Sequence, residues 1–189
     1  MSTPPEVLEI AIQPPPTLEL QRDQRAAFRR LADEHLDAAY RLARAILRDP
    51  IEAQDATHDA FVRAWRSWHT LRDAERFEAW FDRILVNTCR NRARRAQRFQ
   101  SVALPETFPG ASDDAITATD DRDLIGAAMA ALGPDHRVVI ALRYYRDLPV
   151  EEIALRLGIP IGTVQSRLHY ALKRLQAAIA AGGVTGATR

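Results

Sequence analysis

Residues 150–168 read VEEIALRLGIPIGTVQSRL, and the fold turns on how this stretch is parsed. Val150 to Leu157 has the spacing of a short helix, Gly158-Ile159-Pro160 breaks it, and Gly162 to about Ile179 predicts a longer one. That is helix-turn-helix spacing. Gly158 supplies the backbone angle of the turn, and Ala154 is small where the second helix crosses. Ile153, Leu157, Ile159, Val164 and Leu168 are the expected shared core, with Thr163 helping to cap the second helix. Gln165, Ser166, His169 and Tyr170 then point outward, where Gln and Ser side chains meet base edges in a major groove. Arg167 and Lys173 are placed for phosphates. Spacing alone leaves open an ordinary pair of packed helices with a charged surface.

Upstream of this pair, Pro134 suits the first turn of a helix carrying Val138, Val139, Leu142 and Tyr145. A helix before it, from Asp120, carries Leu124, Ile125, Ala128, Met129 and Leu132 and stops at Gly133-Pro134. Between Phe99 and Thr119 periodicity disappears among Pro105, Pro109, Gly110 and Ser112, which reads as a linker between domains. Earlier still, Phe28, Leu31, Leu36, Ala39, Leu42 and Ile46 recur near a helical period until Asp49-Pro50 ends the run. Ile51 to Trp68 predicts a second helix with Ala53, Ala56, Ala60, Phe61, Ala64 and Trp65 on one side. A polar break at 69–75 precedes a third, Phe77 to about Arg98, burying Trp80, Phe81, Ile84, Leu85 and Thr88. No strand signal accompanies them. The expected architecture is all-α, with two small helical domains joined by a flexible acidic linker. Its parts are a proline-rich arm (1–20), a first domain (21–99), the linker (100–119), a second domain (120–180) and a flexible tail (181–189).

The formal net charge of +1 hides a strong segregation. From Asp82 to Arg98 six arginines face one aspartate, whereas from Asp113 to Asp123 five aspartates face one arginine. On the third helix Arg83, Asn87, Arg90 or Asn91, Arg94 and Arg98 follow three- and four-residue steps and share a face. Clustered guanidiniums attract phosphate and Asn pairs with base edges, although a solvated helix end has the same composition. Trp65, Trp68 and Trp80 are candidates for stacking on unpaired bases, with core packing as the alternative. The second helix carries Glu52, Gln54, Asp55, His58 and Asp59 on its outer side, a strip that suits a basic protein partner or simple solubility.

Other chemistries find no footing. The five histidines show no ligand pairing, and Cys89 has no sulfur partner, so neither a metal nor a cofactor nor a catalytic centre is expected. There is no Gly-rich phosphate loop. No apolar run approaches the roughly 20 residues of a membrane span, and Met1 to Pro16 lacks the basic start of a secretory signal. The expectation is a cytoplasmic protein with no direct membrane insertion.

Three segments together resemble the extracytoplasmic-function group of bacterial sigma factors. Residues 49–65, DPIEAQDATHDAFVRAW, are similar to that family's polymerase-docking helix. Residues 77–90, FEAWFDRILVNTCR, resemble its −10 reading helix, and Leu132 to Arg137 with Ala141 through Leu168 resemble its −35 reading domain. The resemblance implies a factor that binds core RNA polymerase through Glu52, Asp55, His58 and Asp59. It implies −10 contacts by Arg83, Asn87, Arg90, Asn91 and Arg94, and −35 contacts by Thr163, Gln165, Ser166, Arg167, His169, Tyr170 and Lys173. It also implies promoter DNA and an anti-sigma factor as partners, and a role in a stress or envelope response. The chain departs from the family pattern at His58, where Gln is preferred, at Asp59, where Glu is, and at Gln165, where Lys or Arg is frequent. The alternative is a helix-turn-helix regulator acting without polymerase; such a protein has no need of the Trp80–Arg90 segment.

Overall fold

The computed structural model describes residues 18–102 and 120–186, with side chains over 22–97 and 125–181. The start of the proline-rich arm (1–17) and the acidic linker from 103 to 119 lie outside the described residues. Among those described, the regular structure is entirely helical: α1 (Leu18–Leu47), α2 (Pro50–Arg66), α3 (Phe77–Val102), α4 (Asp120–Ala130), α5 (Pro134–Tyr144), α6 (Val150–Leu157) and α7 (Ile161–Gly186). Two 3-10 turns, Trp68–Thr70 and Ala74–Arg76, fill the connection between α2 and α3.

The first bundle forms around a buried ridge of α2 that is nearly all alanine. Ala53, Ala56, Ala60 and Ala64 are all fully buried, a ridge of methyl groups that lets α1 and α3 approach closely. Against it α1 packs Ala39, Leu42, Ala43 and Ile46, and α3 packs Phe77, Phe81, Leu85, Val86 and Cys89. Phe61 stacks on Phe81 with ring centroids 4.3 Å apart. Each buried Phe or Leu contributes on the order of 2–3 kcal/mol through its removal from water. Asp49-Pro50 ends one helix and also begins the next: the Asp49 carboxylate accepts from the Glu52 amide at 2.8 Å, and Pro50 occupies the first helical position.

The second bundle is built around α5, whose Val138, Val139, Ile140, Ala141 and Leu142 are buried one after another. A helix buried on successive positions has no solvent face. It is covered by α7 and α6 on one side and by α1 and α3 of the first bundle on the other. The two bundles therefore share one continuous core.

Several residues expected to face inward do not. Leu36 is 47% exposed, and His35 takes the inward place, its ring 5.2 Å from Phe77. Ile125 and Tyr145 are exposed as well; α5 stops at Tyr144, so Tyr145 lies past its end. The last helix also differs from its expected extent, starting at Ile161 and running on to Gly186, as the alanine-rich stretch after Gln176 favours. Thr163 consequently sits inside the first turn rather than capping it, and the Thr163 and Val164 amides donate to the Pro160 carbonyl.

Candidate nucleic-acid interface

The helix-turn-helix geometry rests on one backbone position. Gly158 adopts φ 64° and ψ 37°, and the following Ile159 amide donates to the Ala154 carbonyl at 3.1 Å, closing the end of α6. Ile153, Val164 and Ala171 are fully buried, and Leu168 nearly so, which fixes the rotation of α7. Gln165, Ser166, His169, Tyr170 and Lys173 are thereby exposed, and Thr163 and Arg167 are half-buried. The Ser166 hydroxyl donates to the Thr163 carbonyl at 3.0 Å, leaving its lone pairs outward. Tyr170 is steadied by His136, 4.6 Å away between ring centroids, and by the Arg174 guanidinium, 6.0 Å from its ring centroid.

On α3 the same logic applies. Burial of Phe81, Leu85, Thr88 and Cys89 turns Arg83, Asn87, Asn91 and Arg94 outward, with Arg90 half-buried. Burial pushes the Cys89 thiol up to about 12, which leaves it an inert core residue. The loop leading into α3 is held by Asp73, whose carboxylate accepts from the Glu75 amide, and by Trp80, whose indole N–H donates to Thr70 Oγ1 at 3.3 Å. Trp68 and Trp80 are half-buried in the aromatic cluster around Phe77, while Trp65 is 39% exposed with its ring 5.2 Å from Phe28.

The acidic strip on α2 is organised by a residue that composition did not single out. Arg92 reaches from α3 to Glu52 at 2.8 Å, Asp59 at 2.7 Å and Asp55 at 3.6 Å. The Arg92 hydrogen bond holds the Asp59 carboxyl below its ordinary value. His58 remains exposed beside them.

Two further aspartates connect the two bundles, and sequence reasoning assigned a role to neither. Asp135, in the first turn of α5, accepts from Arg90 Nε at 2.8 Å and lies 3.4 Å from Arg94 Nη2 and from Arg167 Nη2. Burial works to raise its carboxyl, and the Arg90 hydrogen bond with the charges of Arg90, Arg167 and Arg94 outweighs it, so the net shift is downward. One carboxylate thus gathers arginines from both readers. Asp82, on the buried face of α3, is fully buried between two arginines of the second bundle: Arg146 Nη2 at 2.7 Å and Arg156 Nη1. Arg146 also pairs with Glu78, and Arg156 with Glu152. The available signal was positional: Asp82 precedes Leu85 and Val86 by three and four residues, on a stripe where a charge needs a partner.

Comparison with known proteins gives these surfaces a context. Residues 31–99 match the family Sigma-70 region 2, and residues 128–177 match Sigma-70, region 4. The chain is 37% identical over 142 residues to an RNA polymerase sigma-E factor of Streptomyces coelicolor, covering 74% of this chain and 78% of that one. It is 36% identical over 165 residues to the ECF RNA polymerase sigma factor SigL of Mycobacterium tuberculosis, covering 85% and 93%. Among solved structures it resembles the sigma factor RpoE from Bartonella quintana, in complex with the anti-sigma factor NepR (TM-score 0.67, 24% identity, 81% of this chain and 96% of that one). It also resembles CnrH in complex with the cytosolic domain of CnrY (TM-score 0.60, 26% identity, 83% and 90%).

Proposed function

Because the chain belongs to the extracytoplasmic-function group of the sigma-70 family, we propose that its two bundles divide promoter recognition between the residues exposed on α3 and on α7. The protein is an alternative sigma factor that directs core RNA polymerase to specific promoters. In our reading Asn87 and Asn91 take unpaired bases of the melted −10 strand while Arg83, Arg90 and Arg94 hold its phosphates. Gln165, Ser166, His169 and Tyr170 read the −35 duplex from the major groove, with Thr163, Arg167 and Lys173 on its backbone. Glu52, Asp55, His58 and Asp59 form the surface offered to polymerase, pre-shaped by Arg92. The sigma factor supplies recognition and the polymerase supplies the chemistry.

The observation that carries this reading furthest is the shared Asp135 carboxylate. Arg90, Arg94 and Arg167, three of the proposed phosphate contacts, are all committed to it in the free chain. The free protein is then a closed form, and engagement of both promoter elements requires the bundles to part. An anti-sigma factor, such as RpoE has in its solved complex, would act by keeping these surfaces from polymerase and promoter. Control of this kind fits a stress or envelope response. No described helix is long and apolar enough to cross a membrane, and the proposed site of action is the cytoplasm, with polymerase.

The test is reconstituted transcription. The full chain should co-elute with core polymerase and start transcripts at discrete genomic sites. Asn87→Ala should slow promoter opening about tenfold or more while leaving core binding within twofold. Equal loss of both would make Asn87 a structural residue. Tight binding to a palindromic duplex without co-elution would instead favour the polymerase-independent regulator.

A further inference from the structure

A cleft of about 680 Å³ lies where α1 meets α4 and the end of α5. It plays no part in the promoter reading above, and its lining is chemically one-sided. Arg41, Arg44 and Arg48 line it from the first bundle and Met129 from the second, with Tyr40 and Tyr145 also in its lining. Among the described residues no carboxylate pairs with any of the three arginines, nor with Arg137 on α5 beside them.

Arg48 is the anomaly. It follows the last residue of α1 with φ 69°, a left-handed conformation that glycine adopts freely and other residues adopt at a cost. Its backbone carbonyl accepts from the Arg44 guanidinium, which draws two cations together instead of apart. Its Nη1 is buried with no hydrogen-bond partner, as is Nε of Arg137. Burial and the Arg44 charge push Arg48 below its ordinary value, and burial and the Arg48 charge do the same to Arg137. Strained backbone, an unpartnered buried donor and repulsion from neighbouring cations are all unfavourable at Arg48, and an anion beside its guanidinium relieves the last two together.

We propose that this cleft binds a compact polyphosphate, free or carried on a nucleotide, held by Arg41, Arg44 and Arg48. Several positive charges in one cleft call for as many negative charges in a small volume, which a pyrophosphate group has and a single protein carboxylate lacks. Guanidinium forks match phosphate oxygens in pairs. The cleft volume falls within the roughly 300–1,000 Å³ of small-ligand sites, and the tyrosines provide a face on which a base can stack. Since the walls come from both bundles, such a ligand stabilises the closed form in proportion to its occupancy and so opposes promoter engagement.

The experiment is isothermal titration of the full chain with inorganic pyrophosphate and with ADP, at fixed ionic strength, and needs neither polymerase nor DNA. Saturable one-to-one binding is expected. ADP binding tighter than pyrophosphate assigns the site to nucleotides, and the reverse assigns it to free polyphosphate. Arg48→Gly is the decisive variant, because glycine suits φ 69° and the fold is kept. Its melting temperature without ligand should equal or exceed that of the parent, and its affinity should fall at least tenfold. Arg44→Gln should weaken binding with the fold intact. Absence of saturable binding by either ligand, or unchanged affinity in Arg48→Gly, overturns the proposal.

Discussion

Asp82 and Asp135 each join the two bundles through arginines, in very different surroundings. Asp82 is fully buried on α3 and receives Arg146 and Arg156 from the second bundle. Asp135 sits at the rim on α5, its side chain 28% exposed, and receives Arg90 and Arg94 from the first bundle as well as Arg167 from its own. Burial pushes the Asp82 carboxyl up despite the opposing pull of Arg146 and Arg156, whereas arginines hold Asp135 down. In a buried ion pair of the first kind, removing one partner strands the others without compensation. A rim cluster of the second kind is weaker and exchangeable, and its arginines are the ones that DNA phosphates would take. The inner contact joins the bundles at their core, and in the proposed reading the outer one couples that closure to DNA.

The largest effect should come from the inner contact. Asp82→Ala leaves Arg146 and Arg156 buried without their carboxylate and should weaken the packing between bundles by roughly 3–5 kcal/mol, read as a lower melting temperature. Asp82→Asn keeps an oxygen that accepts from Arg146 and should cost less. Equal cost for both would mean that charge, not the hydrogen bond, holds the contact. At the rim, Asp135→Asn should release Arg90, Arg94 and Arg167. With the side chain partly exposed, the effect is about 1 kcal/mol, roughly fivefold in the ratio of open to closed forms. Promoter affinity should rise, and rise most at low salt. Unchanged DNA affinity would separate the rim contact from recognition.

The smallest effect is a pH dependence. Burial and the nearby Arg167 charge hold His136 below its ordinary value, against the opposing pull of Asp135. A depressed histidine stays neutral in the folded chain, so its contribution is complete above about pH 6.5 and is lost as pH falls below that. The melting temperature should therefore drop between pH 7.5 and pH 5.5, and drop less in His136→Phe, which keeps a ring against Tyr170. An identical slope in the variant would assign the dependence to other groups.

Much of this arrangement was legible before any coordinates. The alanine spacing of α2, the Gly158 turn and the outward Gln165, Ser166, His169 and Tyr170 follow from periodicity and turn chemistry, because each is decided within one or two turns of helix. The closed packing of the bundles was not read, although one signal was present. Val138 to Leu142 is an apolar run with no polar face, and a helix of that kind must be covered on both sides. The arginine assignments of Asp82 and Asp135 were beyond pattern reading, since their partners lie between 41 and 74 residues away, apart from Arg167 at 32. Arg48 was equally hidden, because a left-handed backbone at a non-glycine residue leaves no trace in composition.

In the proposed reading the free factor is closed, and its bundles part when it joins polymerase to engage both promoter elements. That opening can be measured as the distance between spin labels on Arg66→Cys and Gln176→Cys, both exposed sites, with Cys89 left in place because it is buried. A single narrow distance is expected in the free protein, replaced by a clearly longer one on addition of core polymerase, with the free Asp82→Ala protein already showing both. A distribution that is broad in the free wild-type chain, or one that polymerase leaves unchanged, would contradict it.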